Sequence, residues 1–359
     1  MIRAYNFSAG PATLPQEVIS KINQELFEYK NAKASVMEIS HRGVDFMELA
    51  AKSEQDLRDL MNIPDNYKVL FLQGGATAQF SMVPINILRG KTKANYANTG
   101  HWSEKAIIEA RRYCEVNICV DSSNNNFTDI QDFKNWNIDS DAAYLHYVPN
   151  ETIAGLEFDY IPEAGIPLVA DMSSTILSRE IDVSKFGVIY AGAQKNIGPA
   201  GLTIVIIRDD LLGQVVDSQP RLFDYSTQAY NNSMFNTPNT FSWYVAACVF
   251  EWLKDQGGLE AIQKINYEKA WTLYKAIDDS DFYSNKVAIK YRSWMNVPFF
   301  LADDTLNSLF LERSKEAELL ALKGHRSVGG MRASIYNAMP QDGVDALVYF
   351  MSDFEKKFG

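Results

Sequence analysis

The chain has 359 residues, of which 47% are hydrophobic and 22% are charged, as is typical of a globular enzyme with a large buried core. Its formal net charge of -11 argues against nucleic-acid or anionic-membrane partners, because both bind basic surfaces. Three cysteines without C-x-x-C spacing, a first segment without signal-peptide features and no apolar run long enough to span a bilayer together predict a cytoplasmic location.

Over the first two-thirds of the chain, short runs rich in Val, Ile and Leu alternate with helical patterns such as Trp102–Tyr113. This alternation predicts an α/β fold with a mostly parallel sheet, and continuous apolar runs are typical of strands covered on both faces. The predicted strands are Lys68–Leu72, Lys93–Ala97, Val116–Val120, Ala143–Val148, Leu168–Asp171, Val188–Tyr190 and Leu202–Ile207.

The pattern changes after about residue 255. Helical stretches at about Leu259–Asp278 and Ser314–Lys323 flank the strand-like run VPFFLA, and a last helix begins near Gln341. These elements predict a smaller α/β domain. The predicted division is a large domain of residues 16–255 and a small, substrate-closing domain of residues 1–15 and 256–359.

The segment Ser226–Phe250 contains no charged residue. Its second half is apolar but too short to cross a bilayer, so we expect a buried helix. Its first half is rich in Asn, Ser and Thr and shows no periodic pattern. This half is either a segment packed against a partner subunit or an ordinary surface loop.

The strongest local signal for chemistry is AGAQKNIGPAG at residues 191–201, which places Lys195 in a glycine-rich loop at a strand end. Small residues let the backbone approach a bulky ligand closely. A lysine in an apolar pocket has its pKa lowered toward the amine form, which is the nucleophile that forms a Schiff base. The plainer interpretation is a lysine in a turn between glycines.

Two further features belong to the same edge of the predicted sheet. Asp171 ends a strand where open α/β sheets bind ligands, and its carboxylate can pair with a protonated pyridine nitrogen. Helix capping by Asp171 is the alternative. Gly74 and Gly75 precede a helical pattern and offer free N–H groups to a phosphate, although they also suit a simple turn.

The segments FSAGPATLP, SHRG, DMSSTILSR, YAGAQKNIGPAG, FNTPNTFSWY and HRSVGGMRASIYNA closely resemble phosphoserine aminotransferases, which are class V, fold type I aminotransferases. The match runs in order from residue 7 to residue 338. The resemblance implies a large domain with a mostly parallel sheet flanked by helices, a smaller C-terminal α/β domain, pyridoxal 5'-phosphate as cofactor, no metal, and a homodimer with shared active sites.

For the cofactor, the resemblance implies that Lys195 carries it as a Schiff base and moves a proton, while Asp171 pairs with the ring nitrogen. The other implied contacts are Trp102 on the ring face, Thr152 near the ring hydroxyl, Ala76, Thr77 and Gln194 at the phosphate, and Asn236 and Thr237 at that phosphate from the other subunit. Some relatives carry Arg at position 77, so Thr77 leaves more of the phosphate binding to N–H groups, hydroxyls and the helix dipole.

For the substrate, the resemblance implies transfer of the amino group of glutamate to 3-phosphohydroxypyruvate, with a related step of pyridoxine biosynthesis left open. Arginine suits both anionic groups of this substrate, because its planar fork binds two oxygens at once. Arg332 is assigned to the carboxylate. The phosphate is assigned to His325 and Arg326, and to His41 and Arg42 of the neighbouring subunit.

Three residues receive no firm role. The resemblance alone places Ser8 near the substrate or the cofactor, whereas packing is the preferred interpretation for His101 and His146.

Three alternatives stay open at this point. A cysteine desulfurase needs a mobile cysteine, but the predicted positions of Cys114, Cys119 and Cys248 are on or beside an apolar strand or within an apolar helix. A glyoxylate aminotransferase has no use for two His-Arg pairs. A ligand-binding protein without catalysis would lack the visible absorbance of a cofactor bound to lysine.

Overall fold

The computed structural model describes residues 3–215 and 218–359, and in this part of the chain the main feature is a seven-stranded sheet. The strands are β1 (Tyr5–Asn6), β2 (Tyr67–Leu72), β3 (Lys93–Asn98), β4 (Glu115–Asp121), β5 (Leu145–Tyr147), β6 (Asn150–Glu151), β7 (Leu156–Glu157), β8 (Leu168–Asp171), β9 (Val188–Gly192), β10 (Thr203–Arg208), β11 (Tyr283–Ser284), β12 (Asn296–Leu301), β13 (Leu319–Leu320) and β14 (Met331–Ser334). The helices are α1 (Gln16–Glu25), α2 (Val44–Met61), α3 (Gly75–Ile87), α4 (His101–Ala110), α5 (Tyr225–Tyr230), α6 (Thr240–Asp255), α7 (Gly258–Asp278), α8 (Asn307–Glu316) and α9 (Gln341–Phe358).

The central sheet has the strand order β2-β10-β9-β8-β5-β3-β4. Strand β10 is antiparallel to both of its neighbours, and the other pairs are parallel. The predicted α/β fold with a mostly parallel sheet is therefore confirmed, and the predicted strands lie within about two residues of their observed bounds.

Both faces of the central sheet are buried, which explains the continuous apolar runs. Along β10, Ile204 and Ile206 point into one hydrophobic core, whereas Val205 and Ile207 point into the core on the opposite face. Side chains alternate across a strand, so a strand between two cores needs apolar residues at every position. The carboxyl ends of β8 and β9 consequently emerge from a tightly packed interior.

A third hydrophobic core lies outside the central sheet. It contains Phe299 of β12, Phe310 of α8 and Phe354 of α9, and β12 pairs antiparallel with β11 and β14. Helix α7 connects the two regions, since Leu259 belongs to the first core and Leu273 to the third. The elements after residue 255 therefore pack around a hydrophobic centre of their own.

The predicted helix Ser314–Lys323 is wrong in most of its length. Helix α8 ends at Glu316, Glu318 has a φ of 60°, and the chain continues as β13. Strand β13 pairs in parallel with β1, and the N–H of Tyr5 donates to the carbonyl of Glu318 at 2.9 Å. The partner strand lies at the opposite end of the sequence, so a local pattern contains no sign of it.

The uncharged segment Ser226–Phe250 is only partly as predicted. Its second half is the buried helix α6, as expected. Its first half is not structureless, because α5 occupies Tyr225–Tyr230. The Asp224 carboxylate accepts hydrogen bonds from the N–H groups of Ser226 and Thr227 and so caps this helix. The capping residue lies just before the segment, and the polar composition of the segment itself gave no signal of a helix.

Across residues 3–215 and 218–359, no helix combines the length and the hydrophobicity that crossing a membrane would require.

Candidate active site

A cavity at the carboxyl edge of the central sheet contains both Lys195 and Asp171. Asp171 is the last residue of β8, and the neighbouring parallel strand β9 leads into the turn that carries Lys195. The other residues that line this cavity are Gly75, Ala76, Thr77, Trp102, Val148, Asn150, Thr152, Ser173, Ser174 and Gln194. The fold thus brings together the amine and the carboxylate that the sequence singled out, along with every cofactor contact assigned to the same subunit.

The amine of Lys195 is buried and has one hydrogen-bonding partner, the hydroxyl of Thr152, at 2.6 Å. Burial lowers the pKa of Lys195 to about 8. The negative charges of Asp171 and Glu151 oppose this shift, and the positive charge of Arg332 adds to it. A substantial fraction of the amine is therefore uncharged near neutral pH, which is the form that attacks a carbonyl carbon.

The carboxylate of Asp171 is held by Ser173. Its Oδ1 accepts hydrogen bonds from the Ser173 hydroxyl at 2.6 Å and from the Ser173 N–H at 3.0 Å. Burial raises the pKa of Asp171, whereas the Ser173 hydrogen bonds and then the charge of Lys195 lower it. The carboxylate is therefore oriented within the protein before any ligand binds.

Two further observations fit a ligand that carries an anionic group and an aromatic ring. The first turn of α3 lies at the cavity through Ala76 and Thr77, and no described side chain caps this helix. Uncapped N–H groups and the helix dipole favour a phosphate at such a position. The indole Nε1 of Trp102 is buried and has no hydrogen-bonding partner among the described residues. The lining thus suits pyridoxal phosphate, whose phosphate, ring and ring nitrogen need these groups.

Glu151 is a site residue that the sequence did not reveal. It is fully buried, and its carboxylate accepts hydrogen bonds from the N–H groups of Trp102 at 3.0 Å and Ser103 at 2.9 Å. A Cβ atom on Gly100 would lie 2.5 Å from the Glu151 side chain, so only glycine fits there. Glu151 thereby fixes the start of α4 and the position of Trp102. The sequence offered one signal for its role, which is its position directly before Thr152, a residue already assigned to the cofactor.

Burial raises the pKa of Glu151 to about 7, and its hydrogen bonds to Ser103 and Trp102 lower it less than burial raises it. The group therefore changes charge near neutral pH, a short distance from the amine of Lys195. Any change in its charge alters the electrostatic environment of that amine.

The second region of the chain contributes Arg332 and His325. The guanidinium of Arg332, on β14, donates to the carbonyl of Thr152 at 3.4 Å, and burial lowers its pKa. His325 lies in the segment between β13 and β14, and its ring centroid is 5.6 Å from that of His101. The neighbouring Arg326 is exposed. Arg332 thus lies beside Thr152, which lines the cavity, and His325 lies beside His101 at the start of α4.

The four residues assigned to the neighbouring subunit do not line the Lys195 cavity of their own chain, and neither do Arg332, His325 and Arg326. Arg42 is exposed and its Nε donates to the Nε2 of His41 at 3.3 Å. Asn236 lines a different cavity, and the carbonyl of Thr237 accepts a hydrogen bond from Gln73 at 2.9 Å. Their assignment to the site of a neighbouring subunit stays a prediction.

The remaining histidine, His146, lies in the core. It is 1% exposed, its Nε2 is 2.8 Å from the hydroxyl of Tyr190, and its ring stacks on Tyr96. Packing is therefore its structural role, as the sequence suggested.

Comparison with known proteins identifies the family. Residues 4–347 match the family described as Aminotransferase class-V. A phosphoserine aminotransferase of Ruthia magnifica subsp. Calyptogena magnifica is 71% identical over 357 residues, which cover 99% of each chain. The chain belongs to the phosphoserine aminotransferase family.

Solved structures of family members agree with this fold. The phosphoserine aminotransferase from Bacillus circulans subsp. alkalophilus is 44% identical, covers 99% of each chain and has a TM-score of 0.97. The pyridoxal-phosphate-bound phosphoserine aminotransferase from Trichomonas vaginalis is 42% identical, has a TM-score of 0.94 and matches 98% of this chain and 100% of its own. The family resemblance and the fold type I architecture are thereby confirmed.

The cysteines do not support a desulfurase. Burial raises the pKa of Cys114 to about 11, that of Cys119 to about 12 and that of Cys248 to about 11. All three therefore stay protonated near neutral pH, whereas a nucleophilic cysteine needs its thiolate.

Proposed function

We propose that this chain is a phosphoserine transaminase, which transfers the amino group of glutamate to 3-phosphohydroxypyruvate and releases O-phosphoserine and 2-oxoglutarate. The observation that carries the proposal is the cavity shared by Lys195 and Asp171 in a member of the phosphoserine aminotransferase family. We assign the reaction to serine biosynthesis in the cytoplasm, and the phosphohydroxythreonine step of pyridoxine biosynthesis is a further candidate for the same site.

Pyridoxal phosphate, when bound, supplies an aldehyde that joins amines covalently and a ring that withdraws electrons from the adjoining carbon. Lys195 provides the amine that holds this group. Its lowered pKa keeps part of the amine uncharged, and the 2.6 Å hydrogen bond that the amine donates to the hydroxyl of Thr152 orients it. In the same position Nζ takes the proton from the α carbon of the substrate and returns it to the product.

The other cofactor contacts follow from the lining of the cavity. Asp171, fixed by Ser173, would hold the ring nitrogen in its protonated form. Trp102, fixed by Glu151, would cover one face of the ring. The phosphate would lie at the first turn of α3, near Ala76, Thr77 and Gln194, with Asn236 and Thr237 added from the neighbouring subunit.

The two anionic groups of the substrate require separate partners. Arg332 is partly buried and close to Thr152, so it is placed to bind the carboxylate beside the reacting carbon. His325 and Arg326 would bind the phosphate together with His41 and Arg42 of the neighbouring subunit. Domain closure would bring these partners together, and the separate hydrophobic core beyond residue 255 supports the proposed division into two domains.

A homodimer is part of the proposal, because the site borrows residues from a second chain. Three large side chains with hydrophobic surface are exposed: Phe27 is 87% exposed, Val44 is 73% exposed and Tyr230 is 89% exposed. Val44 follows Arg42 closely, and Tyr230 lies just before Asn236. Burying such side chains between two chains would stabilise the assembly.

The function is tested by comparing amino acceptors in an assay coupled to glutamate. We expect the purified enzyme to use 3-phosphohydroxypyruvate with a kcat/KM at least about a hundredfold above that of hydroxypyruvate, because the latter leaves several cationic groups without a partner. Equal efficiency with both acceptors would reject a site built for a phosphorylated substrate.

A further inference from the structure

A cluster of cationic side chains extends beyond the residues assigned to the substrate. His101 and Lys105 belong to α4, and they face His325, Arg326 and Arg332. The ring centroids of His101 and His325 are 5.6 Å apart, and the Nζ of Lys105 lies 5.0 Å from the ring centroid of Trp102. Trp102 in turn lines the cavity of Lys195. The cluster therefore adjoins the active site directly.

The members of this cluster repel one another. Burial lowers the pKa of His325, and the charges of His101, Arg332, Arg326 and Lys105 lower it further. Burial also lowers the pKa of His101, with added contributions from Lys105 and Arg326. No carboxylate of the described chain lies within 4 Å of any of these five side chains, so they have no neutralising partner in residues 3–215 and 218–359.

The first backbone N–H groups of α4 are not available to a ligand. The N–H groups of Trp102 and Ser103 already donate to Glu151. The side chains at positions 101 and 105 are four residues apart and therefore lie on the same face of the helix. Of these two side chains, His101 lies beside His325 and Lys105 lies beside Trp102, at the edge of the active site.

We propose that His101 and Lys105 bind the phosphate group of the substrate, from the α4 side of a pocket that His325 and Arg326 close from the opposite side. This inference rests on the proposed function and adds two specificity-determining residues to it. A phosphate dianion relieves the mutual repulsion of the cluster and accepts hydrogen bonds from both side chains.

Proton uptake should accompany binding. In the free enzyme burial, and then the charges of Lys105 and Arg326, favour the neutral form of His101, whose ring centroid lies 5.6 Å from that of His325. A bound dianion favours the imidazolium form, so the pKa of His101 should be higher in the complex than in the free enzyme. Phosphate binding should therefore weaken as the pH rises from the lower of these two pKa values through the higher one, and should level off above it.

The test uses the holoenzyme and the variants His101→Ala, Lys105→Ala and the double variant. Arg111→Ala is the matched control, because Arg111 is an exposed cation immediately after α4. We measure kcat and KM for O-phosphoserine and for serine, and the affinity for inorganic phosphate by calorimetry in two buffers of different ionisation enthalpy.

We expect each single variant to raise the KM for O-phosphoserine and the Kd for inorganic phosphate about tenfold, while kcat and the KM for serine stay near the wild-type values. His101→Ala should also abolish part of the proton uptake. Equal losses with both amino acids, or unchanged phosphate affinity in the double variant, would overturn the assignment. If the wild-type enzyme does not use O-phosphoserine, the proposed function fails, and the phosphate titration still decides whether this pocket binds an anion.

Discussion

Two lysines are buried in the described chain, and their surroundings separate the one that can react from the one that cannot. Among the described residues, the amine of Lys195 makes one hydrogen bond, to the hydroxyl of Thr152, and Lys195 lines a cavity. Lys269 is fully buried, and its amine donates to the carbonyls of Ile335, Tyr336 and Met339. Burial alone is shared by both residues, so it cannot identify a nucleophile. The free space beside the amine of Lys195 is what distinguishes it as the candidate nucleophile.

Glu151 offers a prediction that depends on pH. Burial raises its pKa from an ordinary value of 4.5 to about 7, so between these values the folded protein binds a proton that the unfolded chain releases. Its contribution to stability is therefore complete at low pH and is lost as the pH rises through about 7. Glu151→Gln removes this titration and should flatten the pH dependence of the free energy of unfolding by roughly 1–3 kcal/mol.

The measurement is urea unfolding of the wild type and the variant at pH values between 5 and 8. Glu104→Gln removes the same charge in the first turn of α4, the helix whose start Glu151 holds, and serves as the control. The wild type should gain stability relative to Glu151→Gln toward pH 5. Parallel curves for the two proteins would show that Glu151 is ionised throughout.

Among single residues, the sequence predicted those site residues that lie in long, distinctive segments. Asp171, Lys195 and Arg332 were each found in such a segment, and the structure places them around Thr152 and its cavity. Glu151 was not predicted as a site residue, and His101 was assigned to packing. Their significance comes from contacts with residues far away in the sequence or on another element, and a single sequence carries no record of those contacts.

Helix α7 depends on a buried polar network that links it to the segment before α9. The network includes the three hydrogen bonds that Lys269 donates. In addition, the side chain of Asn266 donates to the side chain of Asn337. The backbone N–H of Asn337 donates to the side chain of Asn196, which is next to Lys195 in the chain. Lys269→Met should leave the buried carbonyls of Ile335 and Met339 without a donor, while that of Tyr336 keeps the N–H of Met339, and should lower the free energy of unfolding by at least about 2 kcal/mol.

Denaturant titration of Lys269→Met checks this value, and Lys264→Met on the same helix is the control, since Lys264 is exposed and pairs only with Glu260. The control should change stability by less than about 1 kcal/mol. Similar losses in both variants would mean that the network contributes no more than a surface ion pair.

Among the elements, those with a strong local pattern were predicted well and those with a distant partner were not. The strands of the central sheet are apolar along their whole length, and α7 and α9 appear close to their predicted positions. Strand β13 exists because β1 pairs with it, and the intervening chain is more than three hundred residues long. Hydrophobic periodicity describes one segment at a time, so it missed this pairing.

At the scale of the whole molecule, the proposed sharing of active sites between two chains leads to a prediction about mixed dimers. Neither Lys195→Ala nor Arg42→Ala should be active alone toward 3-phosphohydroxypyruvate. A hybrid dimer contains one site with both Lys195 and a borrowed Arg42. Random mixing should therefore restore about a quarter of the wild-type activity, because half of the dimers are hybrids and each has one intact site of two.

Co-refolding of equal amounts of the two variants and assay of the mixture measures this recovery. The control pairs Lys195→Ala with Asp171→Asn, two changes within the same subunit's cavity, which no hybrid can combine into an intact site. Recovery in neither mixture, or equal recovery in both, would contradict the borrowing of Arg42 across the dimer.

The account depends most on Lys195 as the residue that carries the cofactor. Reduction of the holoenzyme with borohydride fixes the cofactor permanently to the amine that holds it, and mass spectrometry of the peptides then locates it. The account predicts the pyridoxyl phosphate group on Lys195 and none on Lys269, the other buried lysine. A cofactor found on Lys269 or on any lysine outside the cavity would contradict it.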